Sequence, residues 1–334
     1  MTLQVHAIPA VSVGLGDIGW DDDTYLLRYG RPVRASELDA SLERVGMLNP
    51  PLLIRGKTGA AIVCGFARLE AWRRLGRKSV QARVVAAGAA SEEELLVAAI
   101  DDNEVAGGRR LNVIEQAMAL EKLADWVGPE RTIQAYLPRL GHKPSRATFE
   151  KLLGYRSLPK GVQVALADGR LGEGMLPTLR LLEPAEQELL LACMGTLRMS
   201  AGTRRNFARE AAGICRRDRV SLTDLLAEAD FDPAVAPLPG ETPHVRAALL
   251  AWMRKRRYPI LHQIESDYAA AHVELELCDA LTLRHPKDFE GDEFHLEARL
   301  RNVEDLRKVV GLLADRLEKR RALFGKMFET RWRE

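Results

Sequence analysis

A chain of 334 residues, 46% hydrophobic and 29% charged, is too long for one small core and too apolar for wholesale disorder, so several folded domains are expected. No run approaches the roughly 18 to 20 uninterrupted apolar residues of a bilayer-spanning helix, and residues 1–18 lack the basic start of a secretory signal, so no membrane partner and a cytoplasmic location are expected. The net charge of +2 hides a local excess: residues 131–219 hold 16 Lys and Arg against 8 Asp and Glu, whereas residues 1–110 hold 14 against 14 and residues 231–334 hold 18 against 18.

In chain order, residues 37–47 form the first predicted helix, with Leu38, Leu42 and Val45 on one face, closed by the turn from Gly46 to Pro51. Strands are predicted over Leu52 to Ile54 and Ala61 to Cys64, joined by a hairpin turn at residues 55–59, then a helix from Phe66 to Leu75 and a strand from Val80 to Val85. From Asn112 the pattern is helical for more than 100 residues, cut into short helices by breaks such as Gly128-Pro129, Gly141 to Pro144 and Leu158-Pro159. Four prolines in residues 231–243 mark a linker. Beyond it, Val273 to Leu277 and Phe294 to Leu300 alternate like strands, and Leu306, Val310, Leu313 and Leu317 mark a closing helix.

The chain has four cysteines and seven histidines without a CxxC pair or a histidine pair at ligand spacing, which supports neither a zinc site nor a disulfide frame. The stretch Thr132 to Pro159 carries the clearest chemistry. It reads as a short helix, a tight turn at Gly141 and a second helix opening at Pro144-Ser145, the arrangement of a helix-turn-helix whose second helix enters the major groove. Lys143, Ser145, Arg146, Thr148 and Lys151 lie at the start of that helix, where base and phosphate contacts to double-stranded DNA are made. The bland alternatives are a helix pair that only packs and cations that only face water.

Three blocks, taken in order, resemble the ParB/RepB family of partition proteins. The first is Glu37 to Arg55 (ELDASLERVGMLNPPLLIR). The second is Ile62 to Gly76 (IVCGFARLEAWRRLG), similar to the family's G-E-R-R-x-R-A box. The third runs from Leu111 through the helix-turn-helix to Gly174. The resemblance covers residues 8–228 and implies a small ParB/sulfiredoxin-like α+β domain at 1–110 and an all-α helix-turn-helix domain at 111–230; the residue pattern adds the linker at 231–243 and a small α+β domain of open role at 244–334, so an α+β multidomain chain is expected.

The resemblance also implies a nucleoid-associated homodimer acting on DNA in chromosome or plasmid partition, a ParA-type ATPase as partner, and CTP with Mg²⁺ closing a clamp, with at most weak CTPase activity. Carried onto this sequence, the nucleotide residues are Gly65 and Arg68, with Arg28 as an additional phosphate arginine and Asp102 and Asn103 beside the triphosphate and Mg²⁺. The box departs from the family where Ala67 and Glu70 replace arginines, and Ala106 stands where another arginine is expected, with Arg109 or Arg110 as compensation. A nucleotide-independent helix-turn-helix regulator is therefore the alternative. A third reading is an enzyme of sulfiredoxin or nuclease type, with Cys64 beside Gly65 as its thiol. For Arg68 an ordinary solvated arginine is the plain alternative, and for Asp102-Asn103 a helix N-cap. The run Arg254 to Arg257 reads as a solvated basic turn or as a further DNA or dimer contact.

Overall fold

The computed structural model describes residues 3–30, 35–56, 59–106, 110–238, 240–291 and 293–328. These fall into two compact units, one of residues 1–195 and 199–205, the other of residues 196–198 and 206–334. The boundary expected at 110/111 lies inside the first unit, and the one at 230/231 inside the second.

The first unit begins with a five-stranded sheet built from β1 (Ala10–Gly14), β2 (Ile18–Gly19), β3 (Leu52–Arg55), β4 (Ala60–Cys64) and β5 (Ser79–Val85), in the order β1-β5-β3-β4-β2. The β1/β5 and β3/β4 pairs are antiparallel, and β5/β3 and β4/β2 are parallel. The strands β3 and β4 bury Leu52, Leu53, Ile62 and Val63, as central strands covered on both faces must. Between β2 and β3 comes α1 (Ala35–Val45), and between β4 and β5 comes α2 (Phe66–Arg74). Leu69 of α2 packs with Leu53, Ile62, Val80 and Ala82 in one apolar cluster. Next is α3 (Glu92–Asp101), started by a capping box in which Ser91 and Glu94 satisfy each other's backbone N–H groups. A single π-helical turn, Asp102–Ala106, follows it.

The helical part of this unit opens with α4 (Val113–Val127), whose N-terminus carries a second capping box between Asn112 and Glu115. That box also ties the helix to the N-terminal layer: Glu115 accepts from the Tyr29 backbone N–H at 3.1 Å, and the Asn112 amide donates to the Tyr29 carbonyl at 3.2 Å. The Lys122 ammonium donates to the carbonyls of Asp23 at 2.8 Å and Thr24 at 2.7 Å, and burial lowers its pKa. Then come α5 (Pro129–Ala135), α6 (Arg146–Leu153), α7 (Lys160–Ala167), α8 (Leu176–Leu179), α9 (Pro184–Thr196) and α10 (Ala201–Asp218), of which residues 206–218 belong to the second unit. No helix among the described residues is long and apolar enough to cross a membrane.

The second unit contains α11 (Leu222–Glu228), α12 (Thr242–Arg257), α13 (Pro259–Glu274), a two-stranded antiparallel ribbon of β6 (Leu281–Arg284) and β7 (His295–Ala298), α14 (Val303–Lys319) and α15 (Arg321–Phe328). Leu275, Leu283, Phe324 and Met327 form its apolar cluster. The strand expected at Val273 to Leu277 is instead the end of α13 and the turn after it. Alternating apolar residues there do not mark a pleat, because Val273 points to solvent while Leu275 is buried.

In the basic run at the end of α12, three arginines have carboxylate partners and Lys255 is exposed. Arg254 pairs with Glu265 at 2.8 Å, Arg256 with Asp218 at 3.2 Å, and Arg257 lies 3.9 Å from Glu210, all within this unit.

Candidate DNA interface and N-terminal cavity

Two short helices, α5 and α6, with a turn between them occupy the stretch expected to be a helix-turn-helix. Gly128, at φ 82, ends α4, and Pro129 starts α5 at a position that needs no backbone N–H. The turn between α5 and α6 passes through Gly141 at φ 81, a left-handed conformation in which a glycine avoids the Cβ penalty. The turn is held by the His142 N–H to the Leu137 carbonyl at 3.0 Å and by the His142 ring to Gln116 of α4 at 2.7 Å. Ser145 caps α6 by accepting from the Thr148 backbone N–H.

Leu137, Phe149, Leu152 and Tyr155 are buried beneath the motif, which orients α6 and leaves its other face open. Lys143, Arg146 and Lys151 stand exposed on that open side, while Ser145 and Thr148 are half-buried and serve the helix start. Arg146 contacts Glu130 at 2.7 Å and Glu150 at 3.0 Å, with 61% of its side chain exposed. Lys151 pairs with Glu173 at 2.8 Å, and Tyr155 donates to the same carboxylate at 2.7 Å. Ion pairs this open to water are worth about 0 to 1 kcal/mol, so these cations are available to other anions.

The N-terminal residues separate into two places. One is a cavity of about 1010 Å³ within the first unit, lined by Asn49, Arg68, Asp102 and Cys64 together with residues of α3 and of the segment 131–139. Gly65 starts α2 beside it at φ 90, and a Cβ there would lie 3.0 Å from Pro51 and 3.2 Å from the Arg68 guanidinium. Glycine is therefore needed at this turn both for its backbone angle and for space. Arg68 Nη2 reaches both oxygens of Asp102, at 2.9 and 2.8 Å, and Nη1 donates to the Asn49 carbonyl at 2.6 Å. This ion pair is more sheltered than those of α6, with side-chain exposures of 20% and 27%.

The second place is around Arg28, which is not among the residues lining the cavity and makes a two-pronged ion pair with Glu70 at 2.9 and 3.1 Å. Asn103 is likewise absent from the lining, and its side-chain amide donates to the Ala99 carbonyl at 2.8 Å. Asp102 follows the last turn of α3, so it is not the helix N-cap that its sequence context also allowed.

Two further arginine–carboxylate pairs line the cavity, and the sequence did not disclose them. Arg131 holds both oxygens of Glu93 at 2.7 and 2.9 Å, Tyr136 donates to the same carboxylate, and Arg139 lies 4.0 Å from Asp101. Burial first, then the Glu93 hydrogen bond, pushes the Tyr136 hydroxyl up to about 12. Arg83 donates to the carbonyls of His6 and Ile8. The cavity thus combines four arginines with four carboxylates, Glu93, Glu94, Asp101 and Asp102. The one sequence signal for this cluster is the Ser91-x-x-Glu94 box with three acids in the first turn of α3.

Both arginines that the resemblance assigns to phosphate carry carboxylate partners: Arg68 contacts both Asp102 oxygens, and Arg28 pairs with Glu70. Among the described residues, no group of three or more His, Cys, Asp or Glu side chains could hold a metal ion. Cys64 is buried at the end of β4, and burial, with the Asp102 charge adding to it, pushes its thiol far up. It is therefore a packing residue rather than the thiolate an enzyme would need.

No protein-family model matches the sequence, and no curated protein matches it. Among solved structures, the chain is similar to two crystal structures of the C-terminally truncated chromosome-partitioning protein ParB from Caulobacter crescentus. The one complexed with CTP-γ-S has 24% identity and a TM-score of 0.26, covering 51% of this chain and 91% of that one. The one complexed to the centromeric parS site has 20% identity and a TM-score of 0.31, covering 65% of this chain and 97% of that one. At these scores neither likeness assigns a role to any residue here.

Proposed function

We propose that this chain is a sequence-specific, double-stranded-DNA-binding protein of ParB type. It acts as a homodimer in chromosome or plasmid partition or in related regulation, with a ParA-type ATPase as the partner in partition. The observation that carries the DNA reading is the capped α6 helix, oriented by Phe149 and Leu152 and exposing Arg146 and Lys151, with Lys143 just ahead of it. A net charge of +8 over residues 131–219, from 16 basic and 8 acidic side chains, supplies the field that phosphate contacts need. A homodimer follows from the match between two-fold proteins and palindromic half-sites.

For the N-terminal layer, the nucleotide-independent reading is favoured over the CTP-gated clamp by the ion pairs Arg68–Asp102 and Arg28–Glu70, which already satisfy the phosphate-binding arginines. Titration calorimetry of the full chain with CTP and Mg²⁺, with ATP and GTP as controls, tests this. No saturable heat up to millimolar CTP is expected, and selective CTP binding that is lost in Arg68→Ala restores the clamp.

A further inference from the structure

We infer that Glu150, an acidic side chain on an otherwise basic motif, is a specificity-determining residue of α6: it accepts a hydrogen bond from the amino group of a cytosine in the bound duplex. The inference rests on the DNA-binding reading given above and deepens it by naming a base and the side chain that selects it. Phe149 and Leu152 turn one side of α6 into the core, at 4% and 1% exposure. At about 100° per residue, Ala147 lies almost opposite that buried pair, and Glu150 and Lys151 flank it, one on each side. All three are exposed, while Arg146 and Thr148 lie at the rims of this face. The centre of the face turned away from the core is therefore a methyl group, a carboxylate and an ammonium.

A carboxylate in this place opposes binding to every duplex, because it meets a dense row of phosphates. A base edge has to offset that repulsion. In the major groove, cytosine offers an amino donor with no acceptor beside it, whereas guanine and thymine present acceptors and adenine sets its amino group next to the N7 acceptor. Glu150 has the geometry to use that difference. Its side chain is 62% exposed, and Arg146 Nε donates to Oε1 at 3.0 Å, leaving Oε2 without a hydrogen-bond partner among the described residues. The same guanidinium holds Glu130 of α5 through Nη1 at 2.7 Å. A phosphate that takes the place of Glu130 keeps Arg146 in position and leaves its bond to Glu150 intact. Arg146 is thus a positioning residue for the carboxylate.

The test is selection of duplexes from a random pool by the full chain, then gel-shift affinities for the selected site and for its single base-pair changes, with Glu150→Ala, Glu150→Gln and Glu130→Ala in parallel. Both positions are exposed, and thermal melting checks that each variant is folded. The unaltered chain is expected to select a half-site with one C·G position at which replacing the cytosine costs about tenfold in affinity. Glu150→Ala should lose that discrimination and bind unrelated duplexes more tightly, since a repelling charge is gone. Glu150→Gln should shift the preference there toward adenine, whose amino group and N7 suit a glutamine amide. Glu130→Ala removes a carboxylate from the same arginine and should keep the cytosine preference, which separates base reading from a general effect of charge. The inference is overturned if folded Glu150→Ala keeps the same discrimination at every position, or if Glu130→Ala loses it equally. A pool that stays random with the unaltered chain overturns the DNA reading itself, and this inference with it.

Discussion

Arg68 and Asp102 are 34 positions apart, and the sequence offers each separately as a candidate without disclosing that they pair. Motif spacing reports local geometry, and this pair is made by the packing of α3 beside the β4-to-α2 turn. The same distinction applies to Arg28 and Glu70, 42 positions apart, where a family departure reads as a lost cation and the structure adds that the replacement also neutralises a second one. Cys64 was ambiguous in sequence, because an apolar run and a glycine turn meet at that residue, and burial decides it. Replacing Cys64 with alanine should leave DNA affinity unchanged and cost on the order of 1 kcal/mol in stability, measured by gel shift and urea denaturation. A large loss of DNA binding without unfolding would return Cys64 to a functional role. Gly65→Ala should cost about 1 to 2 kcal/mol for the left-handed backbone alone, seen as a Tm lowered by several degrees, since the new Cβ would also press on Pro51 and Arg68.

At the scale of elements, α1, β3, β4, α2, β5 and the helix pair α5 and α6 were readable because periodicity and turn residues agree there. The strands β1 and β2 and the helix α3 were not. β2 has two residues, too few for any alternation, and the clearest mark of α3 is its capping box rather than a stripe. Val273 to Leu277 misled because a two-residue alternation also occurs where a helix frays into a turn.

Within the helix-turn-helix, Ser145→Ala removes the α6 cap and should cost about 1 kcal/mol, with weaker DNA binding in proportion to the frayed helix. Replacing Lys143 with alanine should weaken binding to all duplexes and reduce the slope of log affinity against log salt by about 1, because the proposed function makes this exposed cation a phosphate contact. An unchanged slope would place Lys143 off the DNA.

The Glu173 pairing predicts a pH effect. Burial works against its charge, but the hydrogen bonds from Lys151 and Tyr155 outweigh it and hold the carboxyl below its ordinary value of 4.5. A depressed folded-state pKa contributes stability that is fully present above the unfolded value and is lost as pH falls through the folded one. Glu173→Gln should therefore flatten the stability curve on the acid side of pH 4.5 and leave its pH dependence near neutrality unaltered. Denaturant melts at a series of pH values read this directly.

For the whole molecule, a global charge of +2 is uninformative and its distribution is not: the excess sits on the segment that forms the helix-turn-helix and the helices after it. Local charge counting cannot show that Arg254, Arg256 and Arg257 have carboxylate partners at 265, 218 and 210, which come from other helices of the second unit. The central claim is sequence-specific DNA binding through α6, and its most direct test is selection of duplexes from a random pool by the full chain, run in parallel with Arg146→Ala. Enrichment of one defined, two-fold-symmetric site by the unaltered chain, relaxed or abolished in the variant, is the predicted result. A pool that remains random, or a site enriched equally by Arg146→Ala, would contradict it.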